Sequence, residues 1–429
     1  MKQYYTLPPP SGLVPTRTRY KVVGFAVALA MVTYLDRVCI SILAPHIMRD
    51  LGLTRMQMSV VFSAFALSYA AFEIPTAWWG QRIGTRRVLT RIVVWWSGFT
   101  MLTAAVTSYW TLLVVRFLFG VGEAGAWPNV AKTFSHWIPV RQRGTIQGIF
   151  FGGAHLSGGV TPLIVTALLA YFHWRTIFVM FGCTGLIWAL AWYRWFRDDP
   201  AEHRRVNAEE LDLILSERPA DSGHPNEHGV WGRIFGSASV LGLCLMYFSN
   251  GYGFYFLITW LPTYLEQQRG FTAQQLGFFS GFPLILSVVA DLTGGVVTDW
   301  LVRRMGLRLG RAITGGFSYL VAGIAILVSI ASSNPVTAAV LIAVAAAASM
   351  FSLGASWAAC IDIGGRHSGV VSAAMNTSGQ IGAVLGPILL AWMVDRFANW
   401  SIPLYLMGGL YLMAAVCWIF INPHRRIEQ

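Results

Sequence analysis

Apolar residues fall along this chain in long unbroken blocks, not in the alternation of a half-buried strand or the narrow stripe of a surface helix. Each block runs to about 20 residues, enough for a helix rising 1.5 Å per residue to cross a hydrocarbon layer of about 30 Å. The blocks predict twelve helices: 21–43, 56–79, 88–108, 109–132, 143–170, 174–196, 234–262, 273–301, 311–332, 335–360, 367–394 and 400–422. One long polar segment, 197–233, divides them six and six. The predicted fold is an all-α membrane protein with twelve transmembrane helices in two six-helix bundles. Its parts are an N-terminal tail (1–20), a first bundle (21–196), a linker (197–233), a second bundle (234–422) and a C-terminal tail (423–429). Inside the linker, Asn207, Glu210 and then Leu211, Leu213 and Ile214 predict a short capped amphipathic helix.

The loops give the predicted helices an orientation. Arg82, Arg86, Arg87 and Arg91 follow helix 2, Lys132, Arg141 and Arg143 follow helix 4, and Arg303, Arg304, Arg308 and Arg311 follow helix 8. The loops after helices 3 and 9 carry no positive charge. Positive loops stay on the cytoplasmic side, so a multi-pass protein of the cytoplasmic (inner) membrane with both termini in the cytoplasm is expected.

Composition agrees with lipid as the main solvent. Of 429 residues 55% are hydrophobic and 12% charged, where a soluble domain carries about 25% charged residues. A net charge of +12 could point to nucleic acid, but the basic residues are short clusters between apolar blocks rather than one basic face, so no nucleic-acid partner is expected. The five cysteines lie inside apolar blocks with no C-x-x-C pair, which predicts neither disulfide nor metal site. The N-terminal segment has no early apolar core or small-residue cleavage site and reads as a cytoplasmic tail rather than a signal peptide.

Residues 116–129, RFLFGVGEAGAWPN, contain G-x-G-x-x-G. A dinucleotide loop needs a strand before the glycines and an acidic residue about 20 positions later. Neither is present, and no cofactor is predicted. Glycines in a membrane helix let backbones approach closely, and here they would also leave room beside Glu123. With no metal cluster, nucleophile motif or nucleotide loop, an enzyme is not expected either.

An ionisable side chain near the bilayer centre costs at least about 2.5–3.5 kcal/mol and marks a partner or a water-filled cavity. Those here are Asp36, Arg37, Glu73, Arg116, Glu123, His155 and Asp291. Helix rise places Asp36 about 21 Å up from one side and Arg116 about 9 Å down from the other, so the two can pair if their helices adjoin. Glu123 falls on nearly the same face as Arg116, about 10.5 Å deeper, pointing into the same cavity. His155 is read as a residue that tunes substrate choice, Glu73 as an extra protonation site, and Asp291, two turns from Asp299, as part of a cytoplasmic gate.

The halves repeat. AWWGQRIGTRRVL follows helix 2 and GGVVTDWLVRRMG follows helix 8, about 218 positions later, as expected for transporters built from two related bundles. Twelve helices, the six-plus-six split and this loop resemble the major facilitator superfamily, whose loop after helix 2 reads G-x-x-x-D-R-x-G-R-R-x-x-L. The chain keeps Arg82, Gly84, Arg86, Arg87 and Leu89 but has Ala77 for the first glycine and Gln81 for the aspartate, while Asp299 keeps the second-half version. The resemblance implies a cytoplasmic gate at Arg82, Gly84, Arg86, Arg87 and Asp299. Tyr34, Asp36 and Arg37 of Y-L-D-R, with Arg116 and Glu123 of R-x6-E, further resemble the anion:cation symporters, which include carriers of galactonate, glucarate and hexuronate. That branch implies proton coupling at Asp36 and Glu123, a substrate carboxylate on Arg37, and Arg116 as charge partner of Asp36. Tyr34, Tyr69, Ser356, Trp357, Asn376 and Gln380 match substrate-facing positions.

The expected function is proton-coupled import of a small organic anion, most simply a sugar acid (hexonate, hexarate or hexuronate), by a monomer in the lipid bilayer. A proton-driven exporter of organic or drug-like compounds is the alternative. Two cavity arginines favour an anion over a cationic drug.

Overall fold

Glycines end one helix and start the next at matching places in the two halves. In the computed structural model Gly84 (φ 85°) joins helix 2 to helix 3, and Gly306 (φ 83°) joins helix 8 to helix 9, in backbone conformations that L side chains rarely adopt. The structure describes residues 14–216, 230–425 and 427. The expected tails and linker therefore lie partly outside the described residues. Among these the structure is helical with no strand, and the spans are helix 1 (Thr18–Leu51), 2 (Arg55–Ile83), 3 (Thr85–Thr103), 4 (Tyr109–Glu123 and Ala126–Trp137), 5 (Arg143–Leu169), 6 (Trp174–Trp195), 7 (Ala238–Thr259), 8 (Ala273–Met305), 9 (Leu307–Ala331), 10 (Pro335–Phe351 and Leu353–Gly364), 11 (Ser368–Phe397) and 12 (Ser401–Phe420).

Eight stretches are apolar and long enough to cross a membrane by composition alone, one running from Pro335 to Val394 through helices 10 and 11. Helix 4 fails such a test because it is divided into pieces of 15 and 12 residues. Helix 10 divides at Ser352, so the fourth helix of each half is broken. The capping boxes Thr54/Gln57, Ser108/Thr111 and Thr272/Gln275 start helices 2, 4 and 8, and Asn334 with Pro335 starts helix 10.

The linker meets the first bundle as predicted at one residue and differently at another. Asn207 caps the linker helix (Ala208–Ser216) by accepting from the Glu210 N–H at 3.0 Å. The Glu210 carboxylate does not turn back on Asn207. It accepts instead from the first N–H groups of helix 1, Thr18 and Arg19, and from the Arg19 guanidinium, each at 3.0 Å. Helix 1 has no capping side chain of its own, so the linker satisfies its orphan donors and places an anion at its positive end. His203 packs on Trp137 and Trp195, and burial there holds its imidazole below the usual value.

The halves are clasped on the face that holds the linker. Asp299 accepts from the Gly144 and Thr145 N–H groups at the start of helix 5 (3.0 and 2.6 Å) and from Arg311 (3.0 Å). Asp362 takes Arg143 on one oxygen (2.6 Å) and Arg311 on the other (3.4 Å). Arg311 also donates to the Val140 carbonyl at 3.2 Å. Two arginines and two aspartates, all buried, thus neutralise one another between helices 5, 8, 9 and 10. Helices 5 and 8 touch at backbone level: a Cβ on Gly295 would meet the Gly144 carbonyl at 2.5 Å.

The first-half loop differs from the expected gate. Arg86 donates to the Tyr193 carbonyl at 2.6 and 2.9 Å within its own bundle, where Asp198 accepts from the Thr85 hydroxyl and the Arg86 N–H. Arg82 lies over Trp78, 3.8 Å from the ring, and Arg87 is exposed. The contact across the seam comes from Gln81, whose Oε1 lies 3.2 Å from His367 Nδ1 at the start of helix 11. Gln81 thus sits at helix 11 as Asp299 sits at helix 5.

Asp362→Ala removes the carboxylate that holds both Arg143 and Arg311. Leaving buried cations without it is expected to cost about 3–5 kcal/mol, read as a lower thermal unfolding midpoint in detergent. A midpoint equal to that of the unaltered protein rejects the clasp.

Candidate functional site

Above the clasp, helices from both halves surround a cavity of about 110 Å³. Helix 1 contributes Tyr34 and Arg37, helix 4 Trp127, helix 5 Phe151 and His155, helix 7 Tyr247, Asn250, Gly251, Phe254 and Tyr255, helix 10 Met350, Leu353 and Trp357, and helix 11 Asn376, Gly379, Gln380 and Ala383. Tyr34, Arg37, His155, Trp357, Asn376 and Gln380 thus stand on the lining, as their positions suggested. Tyr69 and Ser356 stand behind it. Tyr69 is buried with its ring 4.8 Å from the Arg37 guanidinium, and Ser356 donates to the Ser352 carbonyl (2.8 Å) where helix 10 breaks.

The breaks aim the lining. Trp127 follows Glu123 by four positions, just past the interruption of helix 4, and stacks on Phe151 with centroids 5.5 Å apart. Trp357 follows the break of helix 10, packs 5.3 Å from Phe151 and donates its Nε1–H to the Tyr247 hydroxyl at 3.0 Å. The glycines of G-x-G-x-x-G face away from this space. A Cβ on Gly120 would run into Ser68 and one on Gly122 into Trp95, so they seat helix 4 on helices 2 and 3 rather than making room beside Glu123.

Arg37 and Glu123 form an ion pair, Nε to Oε1, across the first bundle. Arg37 is partly open to the cavity, and its guanidinium lies over Tyr69, Phe65 (5.4 Å) and Tyr34 (5.9 Å). Glu123 is wholly buried behind it. Helix spacing had pointed Glu123 into the cavity; it meets that space only through Arg37.

The expected Asp36–Arg116 pair is not hydrogen-bonded. Both oxygens of the buried Asp36 lack a hydrogen-bond partner among the described residues, as does Arg116 Nε. The Arg116 guanidinium rests over Phe119 (4.3 Å) and Phe65 (5.4 Å), and it acts on Asp36 as a neighbouring charge. The depth estimate set the height of both residues but not their rotation, and the faces of Phe65 and Phe119 hold the guanidinium.

Two more acids join the halves at this level. Glu73 of helix 2 accepts from Asn376 and, at 3.2 Å, from the Thr377 hydroxyl of helix 11. Asp291 of helix 8 lies 2.6 Å from Nδ1 of His155 of helix 5. Asp291 is therefore a partner of a cavity residue, not part of the clasp: it shares a helix face with Asp299, but that face follows helix 5 upward to His155.

A family model described as Major Facilitator Superfamily matches residues 26–387. The chain belongs to that superfamily. A probable sulfoacetate transporter of Cupriavidus necator is 34% identical over 420 residues, spanning 96% of each chain. The hexuronate transporter of Bacillus subtilis is 28% identical, over 95% of this chain and 96% of that one. A probable galactarate/D-glucarate transporter of Escherichia coli is 27% identical, over 94% of each. Among solved structures the Escherichia coli fucose:proton symporter shares the fold with a TM-score of 0.72 at 14% identity, covering 95% of this chain and 100% of that one. The proton:xylose symporter bound to a bromodeoxyglucose gives 0.73 at 15% identity, covering 94% and 96%.

This major facilitator protein is a multi-pass membrane transporter and not an enzyme. The lining residues that sequence reasoning passed over are chiefly aromatic: Trp127, Phe151, Tyr247, Phe254 and Tyr255, with Asn250. In lipid an aromatic side chain looks the same whether it packs or lines a cavity. Trp127 alone carried a signal, its four-residue spacing from Glu123.

Glu73→Gln keeps an acceptor for Thr377 and can pair with the Asn376 amide, whereas Glu73→Leu leaves both helix 11 donors unsatisfied. The leucine variant is expected to lose about 1–3 kcal/mol per orphaned group and to unfold at a lower temperature than the glutamine variant. Equal midpoints for the two would show that this bond does not hold helix 2 to helix 11.

Proposed function

We propose that this transporter imports a small organic anion, a sugar acid or similar compact acid, together with protons across the cytoplasmic membrane. The observation that carries the reading is the Arg37–Glu123 pair, with the cation open to the cavity and its carboxylate buried behind it. The basic loops support a cytoplasmic linker face and termini; on this reading the clasp closes the cytoplasmic side and the cavity is entered from outside. Rocking of the bundles opens the Asp299 and Asp362 clasp, with Arg82, Gly84, Arg86 and Arg87 bracing the first-half loop beside it.

Coupling follows from competition for one guanidinium. While Glu123 is ionised it occupies Arg37; a proton on Glu123 removes that claim and frees the fork of donors for a substrate carboxylate. Asp36, bearing no hydrogen bond and facing the charge of Arg116, is the second proton carrier, and Glu73 an additional one. Tyr34, His155, Trp357, Asn376 and Gln380 meet the rest of the acid, while Tyr69 and Ser356 support the lining from behind. The named substrates of the relatives, sulfoacetate, hexuronate and galactarate or glucarate, are all compact acids, which supports this class. The unit of transport is a monomer in the bilayer, and the chemistry needs no cofactor.

In proteoliposomes an inward proton gradient should drive accumulation of a labelled acid from such a panel, and a protonophore should abolish it; equal accumulation without the gradient overturns proton coupling. Arg37→Lys, which keeps the charge but loses the fork, should impair counterflow and gradient-driven uptake alike. Glu123→Gln imitates the protonated acid and should lose gradient-driven accumulation while keeping counterflow. If Glu123→Gln loses both modes equally and Arg37→Lys loses neither, the assignment of proton carrier and anion clamp is wrong.

A further inference from the structure

We infer that His155, set by Asp291, is a second anion-recognition point that makes the cavity selective for acids with two negative groups. The inference rests on the transport reading above and narrows its substrate class.

His155 lines the cavity, while its Nδ1 is taken by Asp291 at 2.6 Å. Both side chains are nearly or wholly buried, and the second oxygen of Asp291 has no hydrogen-bond partner among the described residues. With Nδ1 engaged, Nε2 is the ring nitrogen left for a ligand, and protonation there turns an acceptor into a charged donor. The ring is held between Tyr34, perpendicular at 5.9 Å, and Phe254 at 6.2 Å. Asp291 is thus a positioning residue that fixes the imidazole and leaves Nε2 for a ligand.

The Arg37 guanidinium lies 5.9 Å from the same Tyr34 ring. The two cationic groups therefore flank one tyrosine and stand less than twice that distance apart, a span that a compact diacid can bridge. Each cation also has its own buried carboxylate, Glu123 behind Arg37 and Asp291 behind His155. A monoanion needs only the first pair. A dianion uses both, one negative group on the fork of Arg37 and the other on Nε2–H of a protonated His155. The titratable and charged groups around that imidazole are Tyr34 and Arg37 of helix 1, Glu123 of helix 4 behind Arg37, Tyr255 of helix 7 and Asp291 of helix 8. A histidine meets an anion as a cation only when both ring nitrogens are protonated, so preference for dianions should fade as the pH is raised.

The test is competition against counterflow by the full-length protein in proteoliposomes, using acids matched in length but not in charge: glucarate against gluconate, succinate against butyrate, and sulfoacetate against propionate. For at least one pair the unaltered protein should bind the dianion tenfold or more tightly at pH 6, with the preference shrinking toward pH 8. His155→Gln should remove the preference by weakening the dianion far more than the monoanion, with an unfolding midpoint in detergent equal to that of the unaltered protein reporting a folded carrier. His155→Lys, a permanent cation, should keep the preference and lose its pH dependence. Asp291→Asn, which loosens the hold on the ring, should weaken the dianion preference toward that of His155→Gln. Equal binding of matched mono- and dianions by the unaltered protein, or a preference unchanged in His155→Gln, overturns this inference and leaves organic-anion transport standing. Binding of none of the six acids overturns both.

Discussion

Lipid cannot solvate an ion, so a charge kept inside the membrane must find its counter-charge in the protein. The Arg37–Glu123 pair is where that constraint does most to shape this molecule. A long cation on helix 1 reaches a carboxylate on helix 4, and rings from helix 2, Phe65 and Tyr69, pack against the guanidinium. Removing either charge strands the other in a low-dielectric interior. The same pair leaves the cation, and only the cation, facing the cavity. In the proposed cycle, binding and coupling are therefore two uses of one solvation problem.

The elements were legible to within a few residues wherever apolar length decides the matter. Helices 5 and 6, expected at 143–170 and 174–196, form at Arg143–Leu169 and Trp174–Trp195. The breaks in helices 4 and 10 were not, because alanine, glycine and serine interrupt a helix without interrupting its hydropathy. Site residues divide in a similar way. Helix rise gives height, so the level of Asp36, Arg116 and Glu123 could be estimated, but one residue is a turn of about 100° and hydropathy inside a membrane does not say which side faces a cavity. Hence Tyr69 and Ser356 lie one layer back, Glu123 hides behind Arg37, and Asp291 reaches His155 instead of the clasp.

The duplicated plan shows most clearly where both halves solve one problem. Gly84 and Gly306 turn the chain between the second and third helices of each half, and the fourth helix of each is broken beside the cavity. Asp299 and Gln81 stand at the first turns of helices 5 and 11. A carboxylate there accepts two backbone N–H groups and complements the helix dipole, whereas an amide lacks the charge. The two positions are thus unequal in kind, a carboxylate at one seam and a neutral amide at the other.

The ionic seam has an electrical consequence. Arg143 of the first half carries one positive charge and Arg311, Asp299 and Asp362 of the second half sum to one negative, so the closed seam presents no net charge to the membrane field. One elementary charge moved through 100 mV is worth about 2.3 kcal/mol. Parting the halves would move those two charges against each other, so the seam would couple to the membrane potential only as far as the parted charges travel along the field.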